Sequence, residues 1–197
     1  VIRQSDIRLT ATYDEKGYHC DYNLFTANRL KTSHLELKYI LSIINSKLMT
    51  YYVLEKGYLN IKPGKTPQIR VAAIKKLPIK EAKNQILFIR FVDYILFLKQ
   101  FKRLNSFDHI MPIYFEQIID GMVYELYFPE LLKKHNREII KHLGELPEFT
   151  EDMSDEQKMQ ICKKVFDRLN DKEHPARVNL EKMKEEIKEI RIIEGLE

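Results

Sequence analysis

The sequence predicts an α+β protein: a small antiparallel or mixed sheet with packed helices over residues 1–83, followed by an all-helical module over 84–197. Three observations carry this expectation. Ile7, Leu9, Ala11 and Tyr13 alternate with Arg8, Thr10 and Thr12, the period-2 pattern of a half-buried strand. From Asn84 onward the apolar residues recur at helical spacing in five successive segments. The charge divides at the same place. Residues 1–83 hold 15 Lys and Arg against 7 Asp and Glu, a net of +8, whereas 84–128 carry −1 and 129–197 carry −3. A localised basic block is the electrostatic footprint expected of a phosphate-binding surface, and the rest reads as mixed, solvated helix surface.

In chain order, Asp14-Glu15-Lys16-Gly17 is a turn with glycine available for a positive φ, and Tyr18–Phe25 returns as a second strand. Ser33 with Glu36 spells a capping box for a helix over about Leu35–Ile44. Asn45-Ser46 interrupts that helix. The pair is expected to be a structural break with its own capping hydrogen bonds, buried in an apolar helix, rather than a ligand contact. A further helix runs from Lys47 to Lys56-Gly57, where glycine suits the position after a helix end. Next come a polar loop over 60–67, a short strand at Gln68–Val71 and the terminator Leu77-Pro78-Ile79.

The five later helices are expected near 84–104, 112–127, 130–143, 155–170 and 178–193. Phe115, Ile118, Met122 and Leu126 form one stripe, and Leu132, Ile139 and Leu143 another. Ser154 with Gln157 is a capping box ahead of Ile161, Val165, Phe166 and Leu169. Leu180, Met183, Ile187 and Ile190 follow coiled-coil spacing, but over only two heptads. Arg90 and Asp93 stand close enough on one helix for an ion pair.

With 197 residues, 44% apolar and 31% charged, the chain falls in the globular class and is long enough to bury a core. The most apolar stretch, Ile86–Leu98, is too short for a bilayer and contains Arg90 and Asp93, so no membrane is expected as a partner. Cys20 and Cys162 lie far apart, without metal-ligand spacing, which points to neither a disulfide framework nor a zinc site. A reducing, cytoplasmic setting is the expectation. The chain opens on Val1 without a signal peptide, as an excised domain of a longer protein would.

Motifs for chemistry are missing from the sequence. The glycines at 17, 57, 64, 121, 144 and 195 build no dinucleotide fingerprint, P-loop or nucleophile elbow. An Asn-Pro-Pro-Tyr-type loop for amino-group methylation is missing, and there is no Pro-Pro pair. Glu81-Ala82-Lys83 spells a nuclease-like triplet, but Glu-x-Lys recurs by chance in a Lys/Glu-rich chain. His135 and His142, seven apart on one expected helix, read as surface residues rather than metal ligands. The chain is expected to be non-catalytic, with no cofactor and no metal.

Three stretches, in order and spacing, resemble a known family. They are Ala11-Thr12-Tyr13-Asp14-Glu15-Lys16-Gly17-Tyr18-His19-Cys20-Asp21, then Leu37-Lys38-Tyr39-Ile40-Leu41-Ser42-Ile43-Ile44-Asn45-Ser46-Lys47-Leu48, then Gly64-Lys65-Thr66-Pro67-Gln68-Ile69-Arg70-Val71 leading through Ile74-Lys75-Lys76 to Leu77-Pro78-Ile79. Together they are similar to the TaqI-like C-terminal specificity domain of type II restriction-modification N6-adenine DNA methyltransferases. A helical tail like Phe115–Pro129 also follows that domain, extending the resemblance to about residue 150. The resemblance implies a target recognition domain that binds double-stranded DNA and sets sequence choice. An upstream methyltransferase domain of the parent chain would then hold S-adenosylmethionine and the chemistry, with or without endonuclease activity.

Within that expectation, base reading needs side chains offering paired donors and acceptors: Arg, Lys, Gln and Asn. Lys62, Lys65, Gln68 and Arg70 surround a loop shaped by Pro63, Gly64 and Pro67, and alternation puts Gln68 and Arg70 on one face, opposite Ile69 and Val71. Asn28, Arg29 and Lys31 form a second polar loop. Lys75 and Lys76 suit phosphate contacts, which set register without reading sequence. The alternative is a helical protein-interaction module, in which 84–197 docks onto a methyltransferase or restriction subunit and the basic part merely supports it.

Overall fold

The computed structural model describes residues 1–18, 21–59, 64, 66–100 and 109–197. The fold is α+β and mostly helical. Among the described residues there are one two-stranded antiparallel sheet and nine α-helices. The chain divides into two compact units, Val1–Gln85 and Ile86–Glu197.

In the first unit, β1 (Ile2–Arg3) pairs with β2 (Leu24–Phe25), Ile2 opposite Phe25 and Arg3 opposite Leu24. The strand expected over Ile7–Tyr13 is corrected by the structure. Asp6 caps a tight turn by accepting from Ile7 N and Thr10 Oγ1, and this exposes Ile7, so the alternation never settles on a sheet. Only Leu9 of the apolar set is fully buried. The stretch still lies along β1: Ile2 bridges Ala11, Arg3 N donates to Thr10 O and Thr12 N to Val1 O. Of the second expected strand, Tyr18–Phe25, residues 19 and 20 lie outside the described ones; Tyr22 and Asn23 form a turn, and only Leu24–Phe25 is strand among the described residues, with a further turn upstream. In that upstream turn, Asp14 accepts from Lys16, Gly17 and Tyr18 amides, with Gly17 at φ +67°.

Helix α1 spans Leu37–Ile44 and α2 Lys47–Glu55. Ser33 and Glu36 do not form the expected capping box. Glu36 is the N-cap without a side-chain hydrogen bond, and its own N–H is satisfied by Gln85 Oε1 at 3.0 Å. Ser46 caps α2 as expected, accepting from Met49 N. Asn45, by contrast, is exposed rather than buried. The expected strand at 68–71 is also corrected: Gln68 makes a lone bridge to Ser5, and Val71 opens the short helix α3, Val71–Ile74. Ile69 is anchored in the core, but Val71 is exposed, since helical φ/ψ ends the strand alternation after Arg70.

The second unit is built on α4 (Ile86–Gln100) and α5 (Ile110–Tyr127). Phe91, Tyr94, Phe115, Phe149 and Phe166 pack in edge and tilted geometry with ring centroids 5.2–6.4 Å apart. Buried tyrosine hydroxyls find partners: Tyr94 donates to Pro147 O and Tyr114 to Leu169 O, each at 2.6 Å. The helix expected over 130–143 breaks after α6 (Pro129–His135), because Asn136 takes a left-handed φ of 55°; a single 3-10 turn follows at Ile140–His142. His135 and His142 therefore lie on separate segments. Helix α7 (Asp155–Leu169) carries the expected Ser154–Gln157 capping box. The last expected helix starts earlier, at Pro175, and splits into α8 (Pro175–Glu186) and α9 (Lys188–Glu194) at Ile187, which is extended. All four heptad-spaced residues are buried nonetheless.

Arg90 pairs with Glu148 at 2.7 Å. Cys162 is buried, and burial pushes its thiol up to about 12. No helix among the described residues is long and apolar enough to cross a membrane.

Candidate functional site

The sheet of the first unit supports an open groove. Its floor is made by three segments that backbone hydrogen bonds hold side by side. Gln4 N donates to Asn23 O, Ile69 N donates to Gln4 O, and Ser5 bridges Gln68. Arg3, Ser5, Asn23, Leu24, Thr66 and Gln68 line this groove, with a volume of about 430 Å³. Pro67 and Ile69 are buried, whereas Gln68 and Arg70 are exposed.

The nine residues singled out from sequence fare differently. Gln68 sits in the groove, and its amide has no hydrogen-bond partner among the described residues. Arg70 is the N-cap of α3 and is exposed; Lys75 is its C-cap, and Lys76 follows, both exposed. None of these three cations is engaged by a described residue, so their charge faces solvent. Asn28 and Lys31 are exposed on the second loop and are not among the residues that line the groove. Arg29 is committed internally: Nε and Nη2 donate to Ser33 O, and Nη1 lies 2.6 Å from Glu36 Oε1. It clamps its loop onto the start of α1. Lys62 and Lys65 lie outside the described residues.

Sequence reasoning missed Arg3, Asn23 and Thr66. A faint signal existed for Asn23, a turn residue in Asp21-Tyr22-Asn23 just before an apolar pair. Arg3 had none, because its place in the groove follows from pairing with segments far along the chain. Arg3 Nη1 lies 3.3 Å from Asp6 Oδ2. The Thr10 hydroxyl, donating to Asp6, holds that carboxyl below its ordinary value, helped by the Ile7 amide and Arg3 against partial burial. The chemistry on offer is recognition: amide, hydroxyl and guanidinium groups in an open concavity. Glu81 of the nuclease-like triplet instead faces His34 at 3.3 Å, and no cluster of three metal-ligating side chains occurs among the described residues.

Comparison with known families decides what this unit is. Residues 1–79 match the TaqI-like C-terminal specificity domain. The first unit of the chain carries that domain. It is a specificity domain rather than a catalytic one, and the match covers all the groove-lining residues. The TaqI-like region stops at residue 79, short of the expected reach to about 150, so the helical unit lies beyond it. No curated protein and no solved structure matches the chain.

Proposed function

We propose that the chain is the sequence-reading part of a type II restriction-modification N6-adenine DNA methyltransferase. In this reading 1–83 is a DNA target recognition module, 84–197 a helical extension, and the methyl transfer belongs to an upstream domain. One observation carries it. The TaqI-like specificity domain falls on the stretch that holds the whole positive excess of the chain, net +8 over residues 1–83. Phosphate attraction supplies affinity, and groove side chains supply choice. Gln68 and Arg70 are the proposed base readers, Lys75 and Lys76 the phosphate contacts, with Asn28, Lys31, Lys62 and Lys65 as further proposed DNA contacts. Arg29 shapes its loop and offers the duplex only what its internal contacts leave free.

The test is binding of the chain to a randomised duplex pool at several salt concentrations, with sequencing of the bound fraction. Enrichment of one motif, with affinity falling steeply with salt, is the expected result. A second reading has its own support. Ile110 and Ile113 on α5 are exposed at helical spacing, as a docking face for a methyltransferase or restriction subunit would be. Association with such a subunit that ignores salt, without duplex retention, would favour it.

A further inference from the structure

Among the described residues lining the groove, Arg3 alone is cationic. Its side chain is 59% exposed, yet one corner of the guanidinium is held by Asp6, whose side chain is only 21% exposed. The Asp6 carboxylate is itself pinned. Ile7 N donates to Oδ1 at 2.7 Å, and Thr10 Oγ1 donates to Oδ2 at 2.9 Å. An exposed ion pair of this kind adds little to stability. What it does is limit the rotamers of a long side chain. A guanidinium has five N–H donors in a planar fork, and Asp6 occupies one of them. The remainder of the fork is pre-set for a planar acceptor pair, and pre-setting reduces the entropy lost on binding.

On a DNA duplex, two groups accept such a fork: a phosphate, and the O6/N7 edge of a guanine. The neighbours decide between them. Ser5, Asn23, Thr66 and Gln68 are neutral groups that both donate and accept. They fit base edges, which present donors and acceptors side by side. We propose that Arg3 reads a guanine edge in the major groove and that Asp6 is the positioning residue that fixes its fork beside Gln68. The inference rests on the duplex-DNA reading given above.

The experiment is a competition assay with the chain across all single-base variants of the motif selected from the random pool. Arg3→Lys keeps the charge and loses the fork. It is expected to reduce discrimination at one base pair by roughly five- to a hundredfold, while the ranking at other positions stays. Asp6→Asn is expected to weaken discrimination at that same base pair, and to add nothing when combined with Arg3→Lys. An Arg3→Lys chain that discriminates like the unmodified one, or loses affinity equally for every variant, overturns the proposal. Should Asp6→Asn unfold, as judged by circular dichroism, the exposed Arg3→Lys change alone decides. If the unmodified chain retains no duplex at low salt, the DNA reading fails and the inference falls with it.

Discussion

Asn45 holds the backbone of Ala11 from both sides: Oδ1 accepts from Ala11 N at 2.7 Å, and Nδ2 donates to Ala11 O at 3.0 Å. A side-chain amide thus acts as one more residue of sheet, and ties the stretch along β1 to the junction of α1 and α2. Replacing Asn45 by Ala removes both bonds, while water can still reach the freed groups. A loss of about 1–3 kcal/mol is expected, at roughly 0.5–1.5 per hydrogen bond. Urea unfolding followed by circular dichroism measures it. An unchanged midpoint would show that the contact follows the fold without supporting it.

Lys75 and Lys76 bracket the end of α3 with their ammonium groups in solvent. Each Lys→Ala change is expected to weaken binding to all duplexes by a similar factor. Each is also expected to reduce the magnitude of the log K versus log salt slope by roughly 0.9, the amount for one phosphate. A salt titration by fluorescence anisotropy provides both numbers. A slope that stays put removes the residue from the interface.

Arg70 and Gln68 make the opposite prediction. Either residue changed to Ala is expected to flatten preference at one base pair, costing about 1–3 kcal/mol against the cognate base. The competition profile across single-base variants reads this directly. Uniform loss for Arg70→Ala would make it a backbone contact like Lys75.

In the helical unit, His174 caps α8 by accepting from Ala176 N through Nδ1 at 3.2 Å, which requires the neutral ring. Burial, with Arg168 and His142 nearby, lowers its pKa below the ordinary 6.5. A depressed histidine pKa means that the unfolded chain takes up the proton first. The contribution is therefore present above about pH 6.5 and fades as pH falls below it. Unfolding midpoints at pH 7.5 and 5 should differ more for the native chain than for His174→Asn, whose cap does not titrate. Equal differences in the two proteins would contradict this role for His174.

The parts of this molecule legible in the sequence are those set by neighbours along the chain. Helix caps at Ser46 and Ser154, the Asp14–Gly17 turn and the buried stripes of α5 and α8 each depend on groups within about one turn, so spacing alone reveals them. The TaqI-like stretch and the basic first half are legible for the same reason. The strands were not: alternation at Ile7–Tyr13 is outcompeted by the Asp6 turn, and the sheet forms at Ile2–Arg3 and Leu24–Phe25 instead. Helix breaks at Asn136 and Ile187 were equally hidden. The groove shows the divide most clearly. Residue types for base reading were visible at Gln68 and Arg70, but only tertiary structure sets Arg3 and Asn23 beside Gln68 and engages Arg29 with Ser33 and Glu36. Strand pairing and register are fixed by partners distant in sequence, and the entropy of closing those loops is repaid only when the whole unit packs.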